Sequence, residues 1–256
     1  MGNVMTDSIL YSSSGHVGRL VLNNPERHNA LGAEQLQLMQ AYLTQVAEDE
    51  QIRVLVVTGA GDKTFCAGAS LKELSSGDMD GDLFQNTALQ LSGLAIPTIC
   101  ALNGNVFGGG VEIALSCDFR IGLEGARLRV PAAVIGICYT LSGIQRFVEC
   151  LGVTTAKRLL IAAEELDSAA MLETGFLDHL VLPGQLEEVT ESMAQRMAGL
   201  APLAVRSMKE ILQQAAGAGI DLQRAEELAA ICTNSEDLQE GLAAQREKRQ
   251  ARFRGK

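Results

Sequence analysis

The 256-residue chain contains no tryptophan, three tyrosines, three histidines and five prolines. With so few flat aromatic side chains there is little on which to stack nucleobases. Basic residues are also scarce, at 21 Lys and Arg against 31 Asp and Glu, for a formal net charge of −10. A nucleic-acid binder normally carries a basic stripe, so that class is set aside. A small anionic ligand is not excluded, because a few local cations and helix N-termini suffice to hold one. No apolar run approaches the ~20 residues of a membrane span. Residues 1–15 lack the basic start and apolar stretch of a secretory leader. Met1-Gly2 with Thr6 formally fits an acylation pattern, but no polybasic flank follows and one acyl chain anchors weakly. The six cysteines, at 66, 100, 117, 138, 150 and 232, form no C-x-x-C, and His16, His28 and His179 are scattered. That dispersal argues against a metal site and for reduced thiols in a cytoplasmic protein.

What is present is core material. Hydrophobic residues make up 47% of the chain and charged residues 20%, enough apolar surface for one or two packed domains. Two alternating runs, Ile9 to Ser12 and Val17 to Leu22, predict a hairpin across Ser14-Gly15. Leu36, Met39, Leu43 and Val46 share one face of a helix over about 33–48. Val54 to Val57 is a continuous apolar run, as in a strand buried on both faces. A helix is expected from near Ser70, then a polar, glycine-rich loop over 76–83, then a helix to about Leu94. Strands are expected at 97–101 and 119–122, with a glycine-rich turn over 103–110 leading into a helix over 111–116. Beyond Leu141 the pattern is helical, near 141–150, 153–163, 167–173, 184–199, 202–216, 221–232 and 235–250. Strands alternating with helices, followed by helices alone, predict an α/β core with a helical C-terminal region.

Several familiar sites are missing. Thr58-Gly59-Ala60-Gly61 follows a strand, but Thr64 stands where a dinucleotide fingerprint needs its third glycine. There is no P-loop and no G-x-S-x-G elbow. What remains is a pair of small-residue turns, each running from a strand towards a helix: Cys66-Ala67-Gly68-Ala69 and Phe107-Gly108-Gly109-Gly110. Small side chains let a ligand touch the backbone, and the first N–H groups of a helix have no internal partner. Two such donors aimed at one oxygen make an oxyanion hole; the alternative is two tight packing turns.

Longer motifs surround these turns. Phe65 to Glu73 resembles the F-x-A-G-A-D-L-K-E signature of the enoyl-CoA hydratase/isomerase (crotonase) superfamily. Asn24-Pro25 through Asn29-Ala30-Leu31 resembles its N-P-x-x-x-N-A-L segment. Gly104 through Gly108-Gly109-Gly110-Val111-Glu112 to Cys117-Asp118 resembles its G-x-x-x-G-G-G-x-E-x-x-x-x-C-D block. Ser235-Glu236-Asp237, Glu240-Gly241, Glu247-Lys248-Arg249 and Phe253 resemble its C-terminal pattern. The resemblance implies a spiral of ββα units over residues 1–200 and a helical trimerisation region over 201–256, with a homotrimer or dimer of trimers as the assembly. It implies an acyl-CoA substrate and no separate cofactor or metal, coenzyme A being part of the substrate. By motif position, the N–H groups of Ala69 and Gly109 form the oxyanion hole. Arg27, Ala67, Lys72 and Lys256 are the candidate CoA contacts, with Phe253 reaching the adenine of a neighbouring subunit.

The reaction is less defined. Hydratases of the family typically use two glutamates. Glu112 matches the first, and the second position falls at Ala132. Gly136 to Gly143 carries Tyr139 in a G-x-x-Y-x-L-x-G pattern that resembles the methylmalonyl-CoA decarboxylase branch, although that branch tends to have histidine in an A-G-H-D stretch where this chain has Ala69-Ser70. Loss of CO2 generates an enolate without a base, and Tyr139 would bind the carboxylate or protonate the product. The resemblance thus implies decarboxylation of a short branched malonyl-CoA. Hydration of a 2-enoyl-CoA, or isomerisation, by Glu112 alone is the alternative, and a catalytically silent acyl-CoA binder is a third. Bland roles stand beside these: Tyr139 as a core aromatic, Glu112 as a capping glutamate and Asp118 as a structural hydrogen-bonding residue.

Overall fold

The computed structural model describes residues 8–76, 81–217, 219 and 221–256. The chain opens with the hairpin β1 (Ile9–Ser14) and β2 (Val17–Leu22), antiparallel across Gly15, whose φ of +58° suits the tight turn. Helix α1 (Ala33–Glu48) buries Leu36, Met39, Leu43 and Val46, the stripe expected from their spacing.

Three circuits of one pattern follow. The first is β3 (Val54–Gly59), β4 (Thr64–Cys66) and the helices α2 (Leu71–Ser76) and α3 (Gly81–Ser92). The second is β5 (Thr98–Leu102), β6 (Asn105–Phe107) and α4 (Gly109–Leu115). The third is β7 (Phe119–Leu123), β8 (Arg127–Arg129) and α5 (Leu141–Leu160). Then come β9 (Glu165–Asp167), α6 (Ser168–Glu173), β10 (His179–Val181), α7 (Leu186–Ala198), α8 (Pro202–Ala216), α9 (Leu222–Thr233) and α10 (Glu236–Glu247). Each circuit lays one strand in each of two sheets, so the path is the expected spiral of ββα units. The larger sheet has the order β1-β2-β3-β5-β7-β10 and is parallel from β2 onward; the smaller is β4-β6-β8-β9.

Strand β3 shows why its sequence is apolar throughout. Leu55 and Val57 face the main core with α1, while Val54 and Val56 face Met193, Ala194 and Ala198 of α7. Successive side chains alternate between faces, and both faces are covered.

The differences from expectation concern short elements. Strands β4, β6, β8, β9 and β10 have three residues each, too few to display an alternating pattern, and β6 lies inside the expected turn over 103–110. The two helices expected over 141–150 and 153–163 are joined, with a break at Gly152 (φ +71°). Of the expected loop over 76–83, residues 77–80 lie outside the described residues and Gly81 already begins α3; the acylation-like start at Met1-Gly2 and Thr6 is outside them too. Among the described residues no helix is long and apolar enough to cross a membrane.

One buried ion pair ties the C-terminal helices to the sheet. Lys209 Nζ on α8 donates to Asp118 Oδ2 at 2.6 Å and to the Ile96 carbonyl at 2.8 Å. The same carboxylate oxygen accepts the Thr98 N–H and hydroxyl. Removing one partner of a buried pair strands the other charge. Asp118→Ala should therefore lower stability by about 3 kcal/mol, and adding Lys209→Met should recover part of the loss. Urea denaturation of both variants checks this; a single variant within experimental error of wild type would refute it.

Candidate active site

The site is built where β3 hands over to β4 and β5 to β6. Asn29 is buried and takes a left-handed backbone (φ 54°), which asparagine tolerates better than most residues. Its Nδ2 donates to the carbonyls of Ala60 and Thr64, and its Oδ1 accepts the Asn24 N–H. Asn103 supports the same loop, accepting the Gly59 N–H and donating to the Gly61 carbonyl. These side chains hold the 59–64 link in one shape. The chain beyond β4 is fixed in turn: the Ala67 N–H donates to the His28 carbonyl, Leu31 donates to Gly68, and Ser70 donates to Leu31.

The two small-residue turns then meet backbone to backbone. A Cβ on Gly68 would collide with the Gly109 nitrogen, and one on Gly110 would collide with the Cys66 carbonyl oxygen. Gly68 also has φ +87°, a left-handed conformation suited to glycine. Gly109 opens α4, so its N–H is one of the donors a helix cannot pair internally. The Ala69 and Gly109 amides therefore belong to adjoining, rigidly packed turns. The buried thiol of Cys66 accepts the Gly68 N–H at 3.3 Å, and burial pushes that thiol up to about 12.

Glu112 sits one turn after Gly109 on α4 and is 4% exposed. Residues three apart share a helix face, so the carboxylate lies on the side from which the Gly109 Cβ is missing. A Cβ on Gly143 of α5 would stand 3.1 Å from Glu112 Oε1 and 3.1 Å from Tyr139 Cδ1, which brings Glu112 and Tyr139 together around one small residue. Burial raises the Glu112 pKa above the ordinary carboxylate range, and the Arg146 guanidinium opposes that shift. Tyr139 is half-buried and packs edge-on against Phe147. Burial, then the nearby Glu112 charge, holds its hydroxyl proton more tightly than in water. Ala132, at the second glutamate position, is buried at the start of a short 3-10 helix.

The structure brings Ala67, Ala69, Gly109, Glu112 and Tyr139 into one neighbourhood, and the His28–Ala67 bond ties the exposed Arg27 segment to it. Lys72 is exposed on α2. Phe253 and Lys256 are elsewhere in the same chain. The Phe253 carbonyl accepts from Arg53, which precedes β3 at the end opposite the turns, and its ring packs at Gly241. The Asp237 N–H of α10 donates to the Lys256 carbonyl. Sequence reasoning missed Cys66 as a backbone-holding thiol, Arg146 as the cation acting on Glu112, and a cleft of about 930 Å³ lined by His28, Lys63, Ala67, Asn103, Phe107 and Arg127 among others. Among the described residues no cluster of His, Cys, Asp or Glu is arranged to hold a metal ion.

Comparison with known proteins decides the family. The enoyl-CoA hydratase/isomerase family model matches residues 12–256. The chain belongs to the enoyl-CoA hydratase/isomerase family. It is 31% identical to the short-chain-enoyl-CoA hydratase of Clostridium acetobutylicum, over 95% of this chain and 96% of that protein. It is 31% identical to the crotonyl-CoA hydratase of Syntrophomonas wolfei, over 96% of this chain and 98% of that protein. The crystal structure of an enoyl-CoA hydratase from Bacillus anthracis superposes with a TM-score of 0.92 at 32% identity, covering 98% of this chain and all of that one. This is the crotonase-type spiral that the sequence motifs implied.

The shift at Glu112 has a consequence for stability. Its carboxyl keeps a proton to higher pH when folded than when unfolded. Folding therefore takes up a proton between the two pKa values, and stability falls as pH rises through that window. Replacing the carboxylate removes this penalty. Glu112→Gln should melt above wild type near pH 8, with the gap closing towards about pH 3, where the group is protonated in both states. Melting curves of the two proteins across that range check it; a constant gap would contradict the assignment.

Proposed function

We propose that the protein is an enzyme that adds water across the double bond of a 2-enoyl-CoA thioester, with Glu112 as its acid–base group. The observation that carries this reading is the buried carboxylate one helical turn beyond the Gly109 amide. The hydratase names of the relatives support it. In this reading the thioester carbonyl accepts hydrogen bonds from the Ala69 and Gly109 N–H groups. Ionised Glu112 takes a proton from water as the water oxygen bonds to C3. The C2=C3 electron pair moves to the carbonyl as an enolate, which the two donors stabilise. The proton then passes from Glu112 to C2, so one carboxyl serves in both steps. With alanine at 132 no second carboxylate is needed for the atoms to balance. The same group would carry a proton from C4 to C2 in an isomerisation.

A second reading rests on Tyr139. Its hydroxyl stays protonated beside Glu112 and so has a proton to give to an enolate left by loss of CO2 from a branched malonyl-CoA. For the rest of the substrate we propose Arg27, Ala67 and Lys72 as CoA contacts. Phe253 and Lys256 would come from a neighbouring copy in a homotrimer or dimer of trimers.

Gly109→Pro deletes one donor but also sets a ring against Phe84 and Gly68, so folding is checked by thermal melting, and in the folded variant turnover should fall at least about a hundredfold. A steady-state assay with crotonyl-CoA reads this, and undiminished turnover would remove Gly109 from the site. To separate the reactions, 2-enoyl-, 3-enoyl-, methylmalonyl- and ethylmalonyl-CoA are incubated in D2O and the products read by mass spectrometry. Gain of one D2O on the 2-enoyl thioester, lost in Glu112→Gln but kept in Tyr139→Phe, is expected. Loss of CO2 with deuterium at C2, lost in Tyr139→Phe, would instead establish the second reading.

A further inference from the structure

Phe84 of α3 lies against the oxyanion turn. A Cβ built on Gly109 would stand 2.6 Å from its Cζ and 3.0 Å from its Cε2, so the tip of the ring occupies the place a side chain at 109 would take. That place is on the α4 face that carries Glu112. The ring is not free to swing with its helix. Gln40 of α1 donates to the Leu83 carbonyl at 3.3 Å and to the Thr87 hydroxyl at 3.0 Å, pinning α3 immediately before Phe84 and one turn after it. Ala88 and Leu91 of the same helix are buried in the main core.

An acyl thioester held by the Ala69 and Gly109 amides has its C2 and C3 atoms on this same face, because Glu112 must reach them. A chain continuing past C3 then runs along α4 between Glu112 and the Phe84 ring. We infer that Phe84 is the wall that ends the acyl site, so that the protein selects short acyl groups. The inference rests on the acyl-CoA reading above but not on which reaction follows. Closing a site with a ring fixed by its backbone is costly to reverse for a longer chain, since each further methylene must displace a packed side chain rather than water.

The test uses binding and turnover side by side. Calorimetric titration of saturated butyryl-CoA and decanoyl-CoA, which cannot be hydrated, measures length selection without chemistry. Wild type should bind butyryl-CoA at least about tenfold more tightly than decanoyl-CoA, and Phe84→Ala should narrow that ratio at least about tenfold. Phe84→Leu should fall between them, and it decides the matter if the alanine variant does not fold by thermal melting. No preference for the short chain in wild type, or a ratio within about twofold of wild type in the folded variants, would overturn the inference. Crotonyl-CoA and 2-decenoyl-CoA are assayed in parallel. Altered length selection in binding without any hydration would leave the wall standing and remove the hydratase reading. Hydration with unaltered selection would do the reverse.

Discussion

The structure depends on one close approach of backbone to backbone. The turn after β4 and the turn that opens α4 touch at Gly68, Gly109 and Gly110, with no room for a side chain between them. Everything around this contact keeps it in place. The parallel pairing of β4 with β6 brings the two turns side by side, and the larger sheet, buried on both faces, fixes the strands that feed them. Asn29 and Asn103 hold the link between the sheets by bonding its carbonyl and N–H groups, and of these bonds the one from Asn29 to the Thr64 carbonyl is buried. Two peptide N–H groups set in such a frame need no reorganisation when charge develops on an oxygen between them, the condition under which such donors act most strongly.

The electrostatics of Glu112 follow from the same packing. Helix α4 is buried almost throughout, so a glutamate on it loses solvation and gains a tendency to stay protonated. Arg146 works against that from α5. Burial is the larger of the two effects, so the carboxyl keeps its proton to higher pH than an exposed glutamate does. Tyr139 meets the same small residue, Gly143, and burial, then the nearby Glu112 charge, holds its proton more firmly. Ala132 contributes only a methyl, so Glu112 and Tyr139 are the two titratable side chains that meet at Gly143.

Much of this was legible in the sequence, for physical reasons that also mark where legibility ends. The stripe of Leu36, Met39, Leu43 and Val46 and the run Val54 to Val57 announce α1 and β3, because long elements repeat their period several times. The three-residue strands of the smaller sheet repeat nothing, and only their neighbours in space define them. Ala69, Gly109 and Glu112 are marked as candidates by ordered motifs rather than by any local pattern of polarity. Phe84 and Arg146 escape the sequence because their roles arise from contact with residues 25 and 34 positions away, and the Cys66 thiol, though it meets Gly68 only two residues on, is buried by tertiary packing that the local sequence does not display. Asn29 lay within a recognised motif, yet its work as a clamp between two carbonyls appears only once the loop is folded.

The C-terminal segment shows how the single chain bounds its own site. Asp237 on α10 accepts the N–H groups of Arg254 and Gly255 and donates its own N–H to Lys256, so the last residues are folded back onto their own helix. Arg53 then fastens the Phe253 carbonyl at the end of β3 that lies away from the glycine turns. Within one copy, Phe253 and Lys256 thus point to the wrong end of the sheet to touch a ligand held by Ala69 and Gly109. A part for them in binding a CoA requires the site of another copy.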